Sequence, residues 1–85
     1  MSYYVYLIVS RFKNNKKISY VGYTKNIKNR LTKHNSNKGA KSTKGHKWIL
    51  IFKKRFNTKN EAMSFEYKLK KNRKQRKLIL EEFNK

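Results

Sequence analysis

The stretch SYVGYTKNIKNRLTKHN, Ser19 to Asn35, changes its period halfway along. From Ile18 to Thr24 the residues favour an extended strand, with one glycine, Gly22, near its end. From Ile27 onward the spacing is helical: positions 27, 30, 31 and 34 fall at i, i+3, i+4 and i+7, one face of a helix that Thr24 or Asn26 can cap. That spacing turns Arg30 and His34 inward beside Ile27 and Leu31. Lys25, Lys28 and Lys33 point elsewhere and read as a solvated face.

Upstream, Tyr4, Tyr6 and Ile8 alternate with Val5, Leu7 and Val9 in one apolar run, as in a strand covered on both faces. The basic segment Arg11 to Lys17, with Asn14 and Asn15, then joins two strands of a hairpin through a loop too long for a tight turn. Downstream, Asn35 to Lys47 is a polar connection with Gly39 and Gly45 and an expected helical turn around Ala40. Trp48 to Phe52 follows as a third strand of the buried type. Thr58-Lys59-Asn60-Glu61 forms a capping box in which Glu61 should reach back to the Thr58 amide. The helix it opens carries Ala62, Phe65 and Leu69 on one stripe. A second box, Asn72-Arg73-Lys74-Gln75, opens a last helix bearing Leu78, Ile79, Leu80 and Phe83. Three strands with helices outline an α+β sandwich in a single domain spanning residues 1–85.

Lysine and arginine number 24 against four acidic residues in 85, a formal charge of +20, which points to a polyanionic partner. Such charge also suits disordered chains, but one Trp, six Tyr and five Phe set in strand and helix periods argue for a folded core. Without cysteine there is neither a disulfide framework nor a thiolate zinc site. The start of the chain lacks a basic region before its short apolar run, so a cytosolic protein is expected, with no signal peptide or membrane span.

All four acidic residues are glutamates, which makes the search for a metal ligand short. Glu61 belongs to a capping box, and Glu81 and Glu82 stand among lysines on the last helix. Glu66 occupies the i+4 slot of an apolar stripe, where a carboxylate needs a partner or a metal. Pairing with Arg30 is the structural alternative. A magnesium-type ion held by one carboxylate, substrate phosphate and water is the functional one. Tyr6 and Tyr20 should lie on neighbouring strands facing Arg30 and His34; each alone is ordinary core, and together they form a polar constellation. Gly22, at the end of its strand, is either a bulge or a place where substrate can come close.

Tyr4-Val5-Tyr6 followed by Tyr20-Val21-Gly22 resembles the paired motifs of the GIY-YIG nuclease superfamily, with Arg30, His34 and Glu66 at matching order and spacing. The YVG-T, RL, HN and F-E-x-K-L-K elements look most like small stand-alone bacterial members and the catalytic domains of Slx-type endonucleases. The resemblance implies a three-stranded antiparallel sheet flanked by helices and a DNA endonuclease dependent on Mg2+ or Mn2+. In that scheme Tyr20 activates water or relays its proton, Glu66 holds the metal and Arg30 stabilises charge on the phosphate. Tyr6 and His34 orient the nucleophile and phosphate. Tyr4 stands where the family motif has its first glycine. Tyr23 stands where some members have lysine, so another cation must replace it, and His34 stands where several relatives have tyrosine.

The expected partner is DNA, branched or flapped, recognised by shape or with loose specificity by a monomer. Lys41, Lys44, Lys47, Lys70, Lys71, Arg73 and Lys74 are the candidate phosphate contacts. The competing reading is a non-catalytic nucleic-acid-binding module, for which charge alone suffices and Glu66 is dispensable.

Overall fold

The computed structural model describes residues 2–11, 17–36 and 47–83. The expected turn around Ala40, together with Lys41 and Lys44, lies outside the described residues. The elements run β1 (Tyr3–Arg11), β2 (Lys17–Thr24), α1 (Ile27–Asn35), β3 (Ile49–Phe56), α2 (Lys59–Lys71) and α3 (Arg73–Phe83). The strands form one antiparallel sheet in the order β2-β1-β3, as expected for an α+β chain of this kind.

Central placement of β1 explains its unbroken apolar run. Val5, Leu7 and Val21 face one way, where Ala62 and Leu69 of α2 pack on them with Phe65 and Ile79 alongside. Tyr6 and Ile8 face the other way, toward Trp48 and the Ile27 and Leu31 stripe of α1. Both sides of β1 are therefore removed from water, which an alternating polar pattern could not supply.

The third strand is longer than the expected Trp48–Phe52. It starts at Ile49 and continues through Lys53, Lys54 and Arg55 to Phe56, because those residues pair with Tyr6 to Tyr3 of β1. Charged side chains suit an edge strand, and Lys54 lies 5.1 Å from the centroid of the Phe65 ring. The bulge falls here, not at Gly22: Leu7 pairs with Phe52 and Ile8 with Leu50, leaving Ile51 as the extra residue. Ile51 and Phe52 consequently both join the α2 and α3 side.

Capping resolves the alternatives left by the sequence. Asn26 is the N-cap of α1, its Oδ1 accepting from the Asn29 amide at 3.0 Å, while Thr24 Oγ1 accepts from the Asn26 amide. Thr58 caps α2 by accepting from the Glu61 amide at 3.2 Å. The Glu61 carboxylate accepts from the Thr58 hydroxyl at 2.9 Å, in place of the expected bond to the Thr58 amide. Asn72 closes α2 and opens α3 at once, its Oδ1 accepting from the Gln75 amide at 2.9 Å. Arg76 turns back from α3 and donates to the Leu69 carbonyl at 2.9 Å, fixing the corner between the two helices. On α3, Ile79 and Leu80 are partly covered whereas Leu78 and Phe83 stay exposed. No described helix is long and apolar enough to cross a membrane.

Candidate active site

Tyr6 and Tyr20 sit side by side because β1 and β2 pair Tyr6 with Gly22 and Ile8 with Tyr20. Residues two apart on a strand share a face, so both rings project toward α1. Their centroids are 6.4 Å apart. The helical spacing brings His34 between them: its ring lies 5.0 Å from Tyr20 and 5.9 Å from Tyr6. Trp48 closes this aromatic box, 6.4 Å from Tyr20 and edge-on to it.

His34 is fully buried and Tyr6 is 3 % exposed. The Tyr6 hydroxyl and His34 Nε2 share a hydrogen bond of 2.9 Å. Burial pushes the Tyr6 phenol well above its ordinary value, helped by the neighbouring Tyr20 and Glu66 and opposed by Arg30. Burial likewise lowers the His34 imidazole, and the positive charge of Arg30 adds to that. Both groups are therefore neutral at pH 7, and the pair serves as a fixed polar floor and not as a stored charge.

Gly22 has its explanation in that floor. The Tyr6 ring crosses the place where a side chain at Gly22 would stand, with Cζ 2.6 Å from an ideal Cβ and Tyr20 Cε1 3.1 Å from it. The Tyr6 phenol fills the space that a side chain at Gly22 would need, Gly22 itself borders the cleft, and the β1–β2 register runs past it without interruption.

Above the floor opens a cleft of about 620 Å³ lined by Tyr6, Tyr20 and Gly22 of the sheet, Arg30 of α1, and Lys59 and Glu66 of α2. Four of the five expected catalytic residues line it, and the fifth, His34, supports it from below. Glu66 is mostly covered, at 17 % side-chain exposure, and its Oε1 pairs with Lys70 Nζ at 3.3 Å. The structural alternative, an ion pair with Arg30, is replaced by this i,i+4 contact. Among the described residues the Arg30 guanidinium makes no ion pair or hydrogen bond, and it borders the cleft half-buried. Lys70 Nζ also lies 6.0 Å from the Tyr20 ring centroid, so this lysine belongs to the rim of the cleft.

Lys47, Lys71, Arg73 and Lys74 are exposed, as phosphate contacts require. Lys25 is exposed, as expected, and it also borders the cleft and lies 5.6 Å from the Tyr3 ring centroid. Lys59 gave no signal in the sequence because its approach depends on how α2 lies across the sheet. Asn35 was legible only as a neighbour of His34. Its Oδ1 accepts from the Trp48 amide at 2.6 Å and its Nδ2 donates to the Trp48 carbonyl at 3.2 Å, tying the end of α1 to the start of β3. That clamp holds Trp48 against the aromatic box.

For a metal, Glu66 is the carboxylate in the cleft, and the described residues contain no group of three or more His, Cys, Asp or Glu that could hold an ion by themselves. A single carboxylate fits a hard cation that keeps water and takes its remaining ligands from a phosphate. It does not fit a closed zinc site.

The profile of the GIY-YIG catalytic domain matches residues 2–79. The UPF0213 protein SH2523 of Staphylococcus haemolyticus is 40 % identical over 77 residues, covering 89 % of each chain. The UPF0213 protein OB0043 of Oceanobacillus iheyensis is 39 % identical over 82 residues, covering 95 % of this chain and 91 % of its own. The solution NMR structure of the UPF0213 protein BH0048 from Bacillus halodurans is 39 % identical over 93 % of this chain and 83 % of that one, with a TM-score of 0.49. With the profile spanning nearly every described element and with Tyr6, Tyr20, Arg30 and Glu66 meeting in one cleft, the chain belongs to the GIY-YIG catalytic domain family.

Proposed function

We propose that this protein is a divalent-metal-dependent endonuclease that hydrolyses phosphodiester bonds in DNA. The observation that carries the reading is the convergence of Tyr20, Arg30 and Glu66 on one open, positively bordered cleft above the Tyr6–His34 pair. Hydrolysis requires a water oxygen to attack phosphorus in line, the bond to the leaving sugar oxygen to break, and one proton to move from the water to that oxygen.

Each residue has a task suited to its atoms. Arg30 offers a planar, permanently charged fork to two phosphate oxygens, and charge accumulates on those oxygens as water attacks. The Tyr20 hydroxyl takes the proton of the attacking water while its own proton passes to solvent, and solvent returns one proton to the leaving sugar oxygen. Tyr6 and His34, both neutral, hold the phenol of Tyr20 in place by packing and give the cleft a rigid floor. Glu66 holds Mg2+ or Mn2+, which polarises the phosphate and makes water more acidic when bound. Lys25 and Lys59 are the cations on the cleft that take the place of the lysine absent at Tyr23.

A domain of this charge binds the DNA backbone whatever its sequence, which supports recognition by shape or with loose specificity. The test is cleavage of flap, splayed and plain duplex DNA with Mg2+ or Mn2+. The wild type should cut at least one of them and Glu66→Gln should cut none. Equal products from both proteins, or none from either, would overturn the proposal and leave a non-catalytic binding module.

A further inference from the structure

Among the described aromatic side chains that are exposed, Tyr67 and Phe83 stand outside the core and the cleft, and Tyr67 is the one set among cations. Tyr67 on α2 is 59 % exposed, on a helix surface where lysine or glutamine would be the better helix former. Lys71 Nζ lies 4.4 Å from its ring centroid, one turn further along α2. Around the ring a second, open cleft of about 670 Å³ is bordered by Lys68, Asn72, Arg73 and Lys74.

The corner that bears these residues is held rigidly. Asn72 ends α2 and caps α3, and Arg76 ties α3 back to the last carbonyls of α2. This construction sets Arg73 and Lys74 in the first turn of α3, with no acidic residue there. Cations at the positive end of a helix dipole are unfavourable, so the arrangement works against the isolated protein and in favour of a bound anion. Lys71 covers one face of the exposed Tyr67 ring, and an aromatic ring in a basic surround has a recognisable use: a base stacks on its open face while the cations follow the phosphates.

We propose that Tyr67, with Lys71, Arg73 and Lys74, is a platform for an unpaired nucleotide of the DNA, so that the preferred substrate carries a single-stranded segment beside the cleavage site. This rests on the phosphodiesterase reading of the neighbouring cleft. Tyr67 directly follows Glu66, with Cα atoms about 3.8 Å apart and side chains about 100° apart around the helix. A strand engaged at Glu66 would have to turn around this part of α2 to reach the Tyr67 ring. Bases inside a duplex have both faces stacked already, so only an unpaired base can use that ring without the energy of unstacking. Lysines alone would serve duplex and single strand alike.

Binding separates the two proposals from each other when it is measured without turnover. In the Glu66→Gln background, with Mg2+ absent, fluorescence anisotropy would follow titration of a labelled 5′ flap, a blunt duplex of the same sequence and an oligo-dT strand. Tyr67→Leu should weaken the flap and the oligo-dT by about fivefold or more and leave the duplex within about twofold, as expected for one lost stacking contact. Tyr67→Phe should bind like the parent, because the ring and not the hydroxyl is used. Lys71→Ala should weaken all three and flatten their salt dependence. The platform is refuted if Tyr67→Leu leaves flap binding unchanged or weakens flap and duplex equally. The cleavage panel decides the nuclease reading independently, since a protein that cuts nothing can still show the stacking difference.

Discussion

The two faces of the sheet are built from the same strands and differ in kind. On one, the buried centre is aliphatic, Val5, Leu7 and Val21 against Ala62 and Leu69, flanked by the rings of Phe52, Phe56 and Phe65 and with no buried polar pair among the described residues. On the other, Tyr6, Tyr20, His34 and Trp48 pack as rings, and the Tyr6–His34 bond lies in the interior. Aliphatic packing tolerates many volume-matched solutions. A buried phenol and imidazole tolerate few, because each polar atom must find its partner. The first face therefore carries stability, and the second holds four side chains at fixed positions beneath a charged cleft.

Substitutions can break that division in graded steps. Glu66→Gln should reduce cleavage to background, with little change in unfolding, since an i,i+4 pair whose lysine is half-exposed is worth about 1 kcal/mol or less. Leu69→Ala on the aliphatic face should do the reverse. Its cavity costs about 2–5 kcal/mol in urea unfolding, while the rate per folded molecule stays unchanged. Arg30→Ala and Tyr20→Phe should each lower the single-turnover rate by about 10²-fold, at near-wild-type stability.

A smaller effect tests the floor of the cleft. Gly22→Ala places a methyl group against the Tyr6 ring, which is buried and bonded to His34 and so cannot swing away freely. The expected loss is about 1–3 kcal/mol of stability, together with a disturbed Tyr6–His34 bond visible in the imidazole 15N shifts. Wild-type stability would argue that the floor is softer than the contacts imply.

The smallest effect is a pH dependence. Above about pH 6.5 His34 is neutral in both the folded and the unfolded chain, so it contributes no slope. As pH falls below that value the unfolded chain gains a proton that the buried imidazole, lowered by burial and by Arg30, refuses. Stability should therefore decline from about pH 6.5 downward, and the decline should be shallower in His34→Gln. Urea midpoints measured between pH 4.5 and 8 for the two proteins check the sign. Equal slopes would mean that His34 titrates normally.

Most of the site was readable as positions along the chain. Period-two alternation assigned Tyr6 and Tyr20 to one kind of face, and 3.6-residue spacing assigned Arg30 and His34 to the inner side of α1. Glu66 stood out because it interrupts an apolar stripe. Reading failed where the partner comes from elsewhere in the chain. Lys25 is solvated as expected, but a helix wheel cannot show that an open cleft lies beside it at the helix start. The expected third strand stopped at Phe52, whereas pairing with β1 carries β3 on through Lys53, Lys54 and Arg55 to Phe56. Gly22 does border the cleft, but only the course of the Tyr6 ring shows why no side chain fits there.

The sequence by itself determined the elements, the inward direction of the polar residues and the charge that draws the chain to nucleic acid, because period and composition are local properties. Only the tertiary structure decided which of those inward residues meet. The register of β1 with β2 sets Tyr6 over Gly22, and the Asn35 clamp sets Trp48 against Tyr20 and His34. The lie of α2 brings Glu66 to the same cleft as Arg30 and leaves Tyr67 in solvent beside it. Those outcomes depend on pairings between residues far apart in the chain, and a linear pattern carries no distance between them.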